Sequence, residues 1–372
     1  MFKVALRFIW YDKPKAYGIL FGIILSIFLI GQNIGIGVSL LESTISLARN
    51  NGQYIWVAND KTQQVSELAP IDMRIARELM SIKGVKRVSP MVVAAGSAKF
   101  SDGTKAAISV IGVDTKTFAG GPWRVSKGTT ANLLQSGAVT TDEYDGSVLN
   151  NVKMGERFEI NGKSVFLATQ TKGARGLGLA YSFMSIQLAR QICGISPNSA
   201  SAFLVEWDSN YTPEQVVAAI NKEIPNVKAW TGADFTKLSL DFFISNSGTV
   251  ASFGVLILFA IITGFAIVGL TMFSSVKDRI KDYGTIKAIG GTNTVIRKII
   301  LWQALLFSII GFLMAYDLLL SFVQVTKGSL DIQITPLLLA FLIVVTLSIS
   351  IISSLFAMRK IVKLEPVEIF RM

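Results

Sequence analysis

The sequence predicts an α-helical membrane protein with four transmembrane helices and one large mixed α/β domain outside the cytoplasm. Of its 372 residues, 51% are hydrophobic and only 16% are charged, whereas soluble proteins carry about 25% charged residues. Four apolar stretches each reach the roughly 20 residues that a helix needs to cross a bilayer. Clusters of Lys and Arg flank these stretches and predict their orientation.

The four predicted spans are residues 17–41, 248–273, 299–323 and 334–356. The first follows basic residues, as the apolar core of a signal peptide does. However, its apolar stretch is about twice as long as such a core, and no A-x-A-like cleavage site follows it. We therefore expect an uncleaved membrane anchor.

Basic residues predict which side of the membrane each segment occupies. They occur before the first span, between the second and third spans, and after the fourth: Lys3, Arg7, Lys13 and Lys15; Lys277, Arg279, Lys281, Lys287, Arg297 and Lys298; Arg359, Lys360, Lys363 and Arg371. By the positive-inside rule, both termini and residues 274–298 are cytoplasmic in a bacterial inner membrane. This distribution assigns the net charge of +11 to membrane topology rather than to nucleic-acid binding. Residues 1–16 are expected to form a helix in the membrane interface, and residues 357–372 a cytoplasmic tail.

Residues 42–246 are expected to form the mixed α/β domain. Helical periodicity predicts a helix over residues 70–82, and alternating apolar residues predict a strand pair that turns at Asp102-Gly103. Thr212 is placed to cap a second helix. The predicted organisation is a split subdomain (about 50–113 and 198–231), an inserted β-rich subdomain (about 114–197) and a stalk (232–247) that continues directly into the second span.

The residue types that enzymes use most are scarce. The chain has no histidine and a single cysteine, Cys193, and it contains no nucleophile elbow and no Walker A loop. The glycine-rich run Gly173–Phe183 follows a predicted strand but lacks phosphate-loop spacing, so a flexible loop is expected there. We therefore expect no catalytic residue, no metal site and no cofactor bound by this chain.

Residues 274–298 are the most informative segment. The helix of the second span is predicted to continue to Gly284, and a short helix is predicted between Gly284 and Gly290-Gly291. Its apolar and basic residues suit a groove of a cytoplasmic partner. A basic tether that only enforces topology is the other interpretation, and composition does not separate the two.

This segment resembles a known family. The run from Asp278 to Gly290, DRIKDYGTIKAIG, is similar to the pattern E-R-x-x-E-[IF]-G-x-[LM]-[KR]-A-[LI]-G of the FtsX-like permeases of MacB-type (type VII) ABC transporters, with the DevC-like exporters nearest in character. The C-terminal Pro366, Glu368 and Arg371 resemble the family's ending, P-x-E-x-[LF]-R. Asp278, Asp282 and Tyr283 depart from it, since Glu and Ile or Phe are usual there.

The resemblance implies a non-catalytic permease that works as a homodimer. Each copy would dock on a separate cytoplasmic ABC ATPase subunit, which binds ATP and Mg²⁺, and would transmit its motion to the outer domain. An amphiphilic substrate would then be exported with a periplasmic adaptor (a membrane fusion protein) and an outer-membrane channel. A regulator of a periplasmic hydrolase and a lipoprotein-releasing permease remain as alternatives. By the same resemblance the ATPase-coupling residues are Asp278, Arg279, Asp282, Tyr283, Gly284, Ile286, Lys287, Ala288, Ile289 and Gly290.

Ala260 and Gly264 form a small-x-x-x-small pair in the second span. Such pairs let two helices approach closely, either within one chain or between two copies. Asp317 is predicted to lie near the outer end of the third span.

Overall fold

The computed structural model describes residues 10–326, 330 and 332–362, with side chains to Met358. The chain forms two compact units. The membrane unit contains residues 1–37, 249–326 and 332–372, and the α/β unit contains residues 38–248 with 327–331. Most of the predicted interfacial helix and of the C-terminal tail, including Pro366, Glu368 and Arg371, lies outside the described residues.

Helices and strands are numbered in chain order. The helices are α1 Lys13–Asn50, α2 Ile75–Ser81, α3 Ile186–Cys193, α4 Pro213–Glu223, α5 Gly232–Asn246, α6 Thr249–Asp278, α7 Ile280–Ala288, α8 Asn293–Thr326 and α9 Pro336–Val362. The strands are β1 Ile55–Asn59, β2 Ile71–Asp72, β3 Val85–Lys99, β4 Lys105–Val113, β5 Val125–Lys127, β6 Ala138–Asp142, β7 Arg157–Ile160, β8 Lys163–Thr171, β9 Ala180–Ser185, β10 Ser199–Ala200, β11 Ala202–Trp207 and β12 Val227–Trp230.

Four of the described helices are long and apolar enough to cross a membrane: α1, α6, α8 and α9. The four predicted spans are therefore present, but the helices extend beyond them. In α1 the polar residues after position 41 remain helical, and the hydroxyls of Ser43 and Thr44 donate to backbone carbonyls four residues earlier, so they have partners within the helix. Hydropathy alone detects only the apolar part of such a helix.

Helix α1 has the most buried apolar stretch of the membrane unit. Ile19, Ile23, Ile27 and Ile30 are each at most 2% exposed. The same helix carries glycines where its neighbours come close: a Cβ atom on Gly22 would lie 2.6 Å from Cγ2 of Ile267 in α6. Small residues thus allow α1 to pack tightly in the unit.

The predicted small pair packs inside the chain. Ala260 is 4% exposed, and a Cβ atom on Gly264 would lie 2.2 Å from Oγ of Ser26 in α1. Gly264 therefore serves the contact between α1 and α6. Asp317, by contrast, is exposed on α8.

The α/β unit is built on a ten-stranded sheet. Its main strand order is β12-β1-β11-β3-β7-β8-β5, while β4 pairs with β3 and β9, and β6 pairs with β8. Strand β3 is shared: its residues up to Met91 pair with β11, and its residues from Met91 onward pair with β4. Apolar clusters lie along the sheet and are covered in part by the short helices.

Three predictions for this unit need correction. Ile71 and Asp72 pair with β10, so the helix predicted over residues 70–82 begins only at Ile75. The predicted insertion is not a separate body, because β9 pairs in parallel with β4 and completes the same sheet. The predicted stalk does not continue directly into the second span: α5 ends at Asn246, and Gly248 has a φ of +62°, which interrupts a helix.

Candidate functional site

The family resemblance directs attention to residues 278–291, which we call the α7 segment. Helix α6 ends at Asp278, Arg279 alone separates it from α7 (φ −97°, ψ 19°), and α7 continues through Gly284. The predicted bend at Gly284 is therefore wrong, and the break lies five residues earlier. Gly284 is buried in the packed face of α7, so its small size serves packing rather than bending.

Two glycines end the helix as predicted. Gly290 has a φ of +93°, its N–H donates to the carbonyl of Lys287, and the N–H of Gly291 donates to the carbonyl of Ile286. This pair of bonds is a Schellman motif, which satisfies the last helical carbonyls. A Cβ atom on Gly291 would lie 2.5 Å from the Ile286 carbonyl oxygen, so a side chain there would disrupt the turn.

One face of α7 anchors it to the membrane unit. Tyr283 is 1% exposed and belongs to the same apolar cluster as Met272, Val276 and Ile300, and Ile286 packs against this cluster. Burial raises the pKa of the Tyr283 hydroxyl to about 12. The ring, packed in this cluster, fixes the orientation of α7.

The opposite face of α7 is open. It presents Lys281, Asp282, Thr285, Ala288 and Ile289, all at least partly exposed. These positions share one side of a helix, and Ile289 is 80% exposed. We call these five residues the outer face of α7; it combines an apolar end with one positive and one negative charge.

The structure separates residues that the resemblance groups together. Tyr283, Gly284 and Ile286 face the membrane unit, whereas Asp282, Ala288 and Ile289 face away from it. Gly290 belongs to the terminating turn, and Lys287 is half-buried. A binding partner that approaches α7 would meet only part of the predicted set.

Asp278 has a partner that the sequence does not indicate. Lys15, near the start of α1, forms an ion pair with the Asp278 carboxylate, and its Nζ donates to the carbonyl oxygen of Ser274 at 3.4 Å. From the sequence, Lys15 is only a topology signal. The two charges are 263 positions apart, so no local pattern could link them.

A second polar cluster lies in the α/β unit, at the glycine-rich loop. Arg175 Nη2 lies 2.5 Å from Asp145 Oδ1, the Ala174 N–H donates to Asp142 Oδ2 at 2.7 Å, and Ser46 of α1 donates to the Arg175 carbonyl. The base of the predicted flexible loop is therefore held at several points. Its tip exposes Leu177 and Leu179. Among the residues the structure describes, no three His, Cys, Asp or Glu side chains converge as metal ligands would.

The Asp145 carboxyl should make stability depend on pH. Burial raises its pKa to about 6 against the opposing effect of Arg175, and the charge of Asp142 raises it further. A carboxyl whose pKa is higher in the folded state stabilises the fold below its unfolded pKa, and this contribution is lost as the pH rises through about 6. Relative to Asp145→Asn, the unaltered chain should lose on the order of 2 kcal/mol of unfolding free energy between about pH 4.5 and about pH 7.5.

Denaturant unfolding of both proteins across this pH range measures that difference. Changes common to both proteins cancel, including those from other carboxyls and from the membrane unit. Parallel stability curves would show that Asp145 titrates normally.

Comparisons with known proteins place the α7 segment in a family context. Residues 254–366 match the family model described as FtsX-like permease C-terminal. No curated protein matches the chain.

Solved structures similar to the chain include three domains. The first is the extracellular domain of the noncanonic ABC-type transporter YknZ from Gram-positive bacteria: 15% identity, 48% of this chain, 98% of that chain, TM-score 0.36. The second is the periplasmic region of MacB from Actinobacillus actinomycetemcomitans: 10% identity, 54% of this chain, 98% of that chain, TM-score 0.39. The third is a domain of a putative permease protein from Porphyromonas gingivalis: 10% identity, 49% of this chain, 91% of that chain, TM-score 0.35.

Proposed function

We propose, from the premise that this chain is an FtsX-like permease of the MacB type of ABC transporter, that it receives the motion of a partner ATPase through the outer face of α7. The premise rests on the family match over residues 254–366, which contains α7 and most of the three helices around it. Permeases of this family are membrane subunits that work with ABC ATPases. In this proposal the partner binds ATP and Mg²⁺, and this chain binds no cofactor.

A single observation carries the proposal. Within the matched residues, α7 has one face fixed in the apolar cluster by Tyr283 and an opposite face whose Ile289 is 80% exposed. A tether that only crossed between two spans would need neither a buried anchor nor an exposed apolar residue. An anchored helix with a mixed free face suits docking in a groove of another protein.

The anchoring defines how force would act. A short helix held only by its ends would bend under load, and the load would be lost in loop motion. Because Tyr283 and Ile286 pack into the membrane unit, a push on the outer face would move the ends of α6 and α8. We propose that ATP-driven closure of the partner ATPase supplies this push, and that α1 and α6 relay it towards the α/β unit.

The same proposal sets topology and partners. The basic flanks favour cytoplasmic termini and a cytoplasmic α7 segment in the inner membrane, with the α/β unit on the periplasmic side. A homodimer would dock two ATPase subunits. The exported substrate would be an amphiphile, passed on with a periplasmic adaptor and an outer-membrane channel.

Reconstitution in nanodiscs tests the function. The purified chain alone should hydrolyse no ATP, and it should stimulate its cognate ABC ATPase. The matched negative control is the same ATPase with an altered Walker A lysine, which should stay inactive with the chain present. ATP hydrolysis by the chain alone, or a partner ATPase that is indifferent to it, would contradict the proposal.

A further inference from the structure

Helices α1 and α6 approach each other along several turns. A Cβ atom on Gly18 would lie 3.3 Å from Cγ2 of Thr271, and one on Gly22 would lie 2.6 Å from Cγ2 of Ile267. The next contact joins Ser26 and Gly264. As the residue number in α1 rises by four from one contact to the next, the number of the contacted residue in α6 falls. The two helices therefore run antiparallel and pack through small residues.

Lys15 makes the next contact between the two helices, where α1 begins and α6 ends. It lies one turn before Gly18, and its Nζ contacts the Ser274 carbonyl and the Asp278 carboxylate. The same Nζ lies 3.7 Å from Oδ2 of Asp12, which precedes α1. Ser274 and Asp278 belong to the final turns of α6. A cation near a helix C-terminus interacts favourably with the helix dipole, and Lys15 supplies one from α1.

The location of this contact matters more than its strength. Asp278 is the last residue of α6, and Arg279 then redirects the chain into α7. The Asp278 side chain is 59% exposed, so the pair by itself contributes little to global stability. It joins the first membrane helix to the point where α7 departs.

We propose that Lys15 is a positioning residue for ATPase coupling: it closes the α1–α6 pair at the α7 junction, so that load on α7 is carried by both helices. This inference rests on the proposed function. Without this contact, α7 would pivot more freely at Arg279, and its load would reach α1 only through the apolar packing of the membrane unit.

Lys15 could instead act only as a basic residue that anchors the chain in the membrane interface. Lys13 provides the matched control, because it carries the same charge two positions earlier on the same helix. It is exposed, and its Nζ lies 5.7 Å from the centre of the Trp10 ring. General anchoring predicts equal effects of the two lysines.

The experiment compares four variants of the full chain in nanodiscs: Lys15→Asp, Asp278→Lys, the double exchange Lys15→Asp/Asp278→Lys, and Lys13→Asp. Amide hydrogen exchange is measured for peptides covering residues 279–290, and stimulation of the cognate ATPase is measured in parallel. Each single reversal at 15 or 278 should speed exchange about fivefold or more and lower the stimulation. The double exchange should restore slow hydrogen exchange, and Lys13→Asp should leave both readouts unchanged.

The outcomes separate this inference from the proposed function. If the unaltered chain fails to stimulate the ATPase, the proposed function is refuted, while the exchange data still decide whether Lys15 holds α7. Equal effects of Lys15→Asp and Lys13→Asp, or no recovery in the double exchange, would overturn the inference. Faster exchange with full stimulation would overturn the positioning role.

Discussion

Ile289→Asp should strongly weaken stimulation of the partner ATPase while leaving the chain folded. The side chain is 80% exposed, so its replacement removes almost no packing within the chain. Burying an isoleucine at an interface contributes about 2 kcal/mol, and forcing a carboxylate into the same apolar contact adds a desolvation cost. We therefore expect the affinity between chain and ATPase to fall by more than about tenfold.

Titration of the ATPase with nanodisc-embedded chain measures this loss. Val325→Asp is the matched control, because Val325 is 85% exposed at the end of α8 and lies outside the α7 segment. Thermal unfolding of both variants confirms that each remains folded. Ile289→Asp that stimulates as strongly as Val325→Asp would favour the basic-tether interpretation of residues 274–298.

Tyr283 separates anchoring from docking in the same assay. Tyr283→Ala removes a buried ring and should therefore lower both the thermal stability of the chain and the stimulation, whereas Ile289→Asp should lower only the stimulation. The contrast with Ile289 follows from burial alone: one residue lies inside the membrane unit and the other outside it. Sequence similarity groups both as coupling residues, because a sequence pattern gives the residue types but not which way each side chain points.

Most of the regular structure is predictable because its signals are local. Bilayer-length apolar runs predict α1, α6, α8 and α9. The capping box at Thr212 is present, with Gln215 completing it, and the strands β3 and β4 flank the predicted turn at Asp102-Gly103. In each case the determining residues lie within the element itself: one apolar run, one helix cap or one hairpin.

Strand pairing is harder to predict, because the alternation of apolar and polar residues identifies a strand but does not show which strand it pairs with. Strand β3 passes from β11 to β4 at Met91, and no change of composition marks that point. The predicted subdomain boundary at residue 113 therefore falls between two strands of one sheet, β4 and its parallel neighbour β9. Ile71 and Asp72 join a strand for a similar reason: a distant partner, β10, outweighs local helical periodicity.

The sequence predicts where the candidate site lies in the chain, but it does not predict how the side chains of the site are arranged. Gly290 ends α7 where its backbone freedom suggests. Gly284 suggests a bend, but the helix continues through it. Gly284 is buried beside Tyr283, where its small size allows close packing. The contact of Lys15 with Asp278 depends on how α1 packs against α6, which only the tertiary structure specifies.

Gly264→Leu should strongly destabilise the membrane unit. Even a methyl group at this position would lie 2.2 Å from Ser26 Oγ and 2.7 Å from Ser26 Cβ, and Ser26 is itself only 1% exposed. Overpacking of this kind costs about 1–3 kcal/mol for a small excess of volume. Leucine adds three further carbons, so the contact between α1 and α6 should separate rather than adjust.

Unfolding of the purified chain in mixed detergent micelles, with SDS as the denaturant, measures the effect. Gly254→Ala in the same helix is the control, because a Cβ atom there meets nothing within 4 Å and alanine favours a helix by about 1 kcal/mol over glycine. The milder pair Gly264→Ala and Gly264→Ala/Ser26→Gly tests the cause, since removing the Ser26 side chain should return most of the lost stability. If Gly264→Leu unfolds like the unaltered chain, α1 and α6 are not in close contact, and the tie made by Lys15 loses its geometric basis.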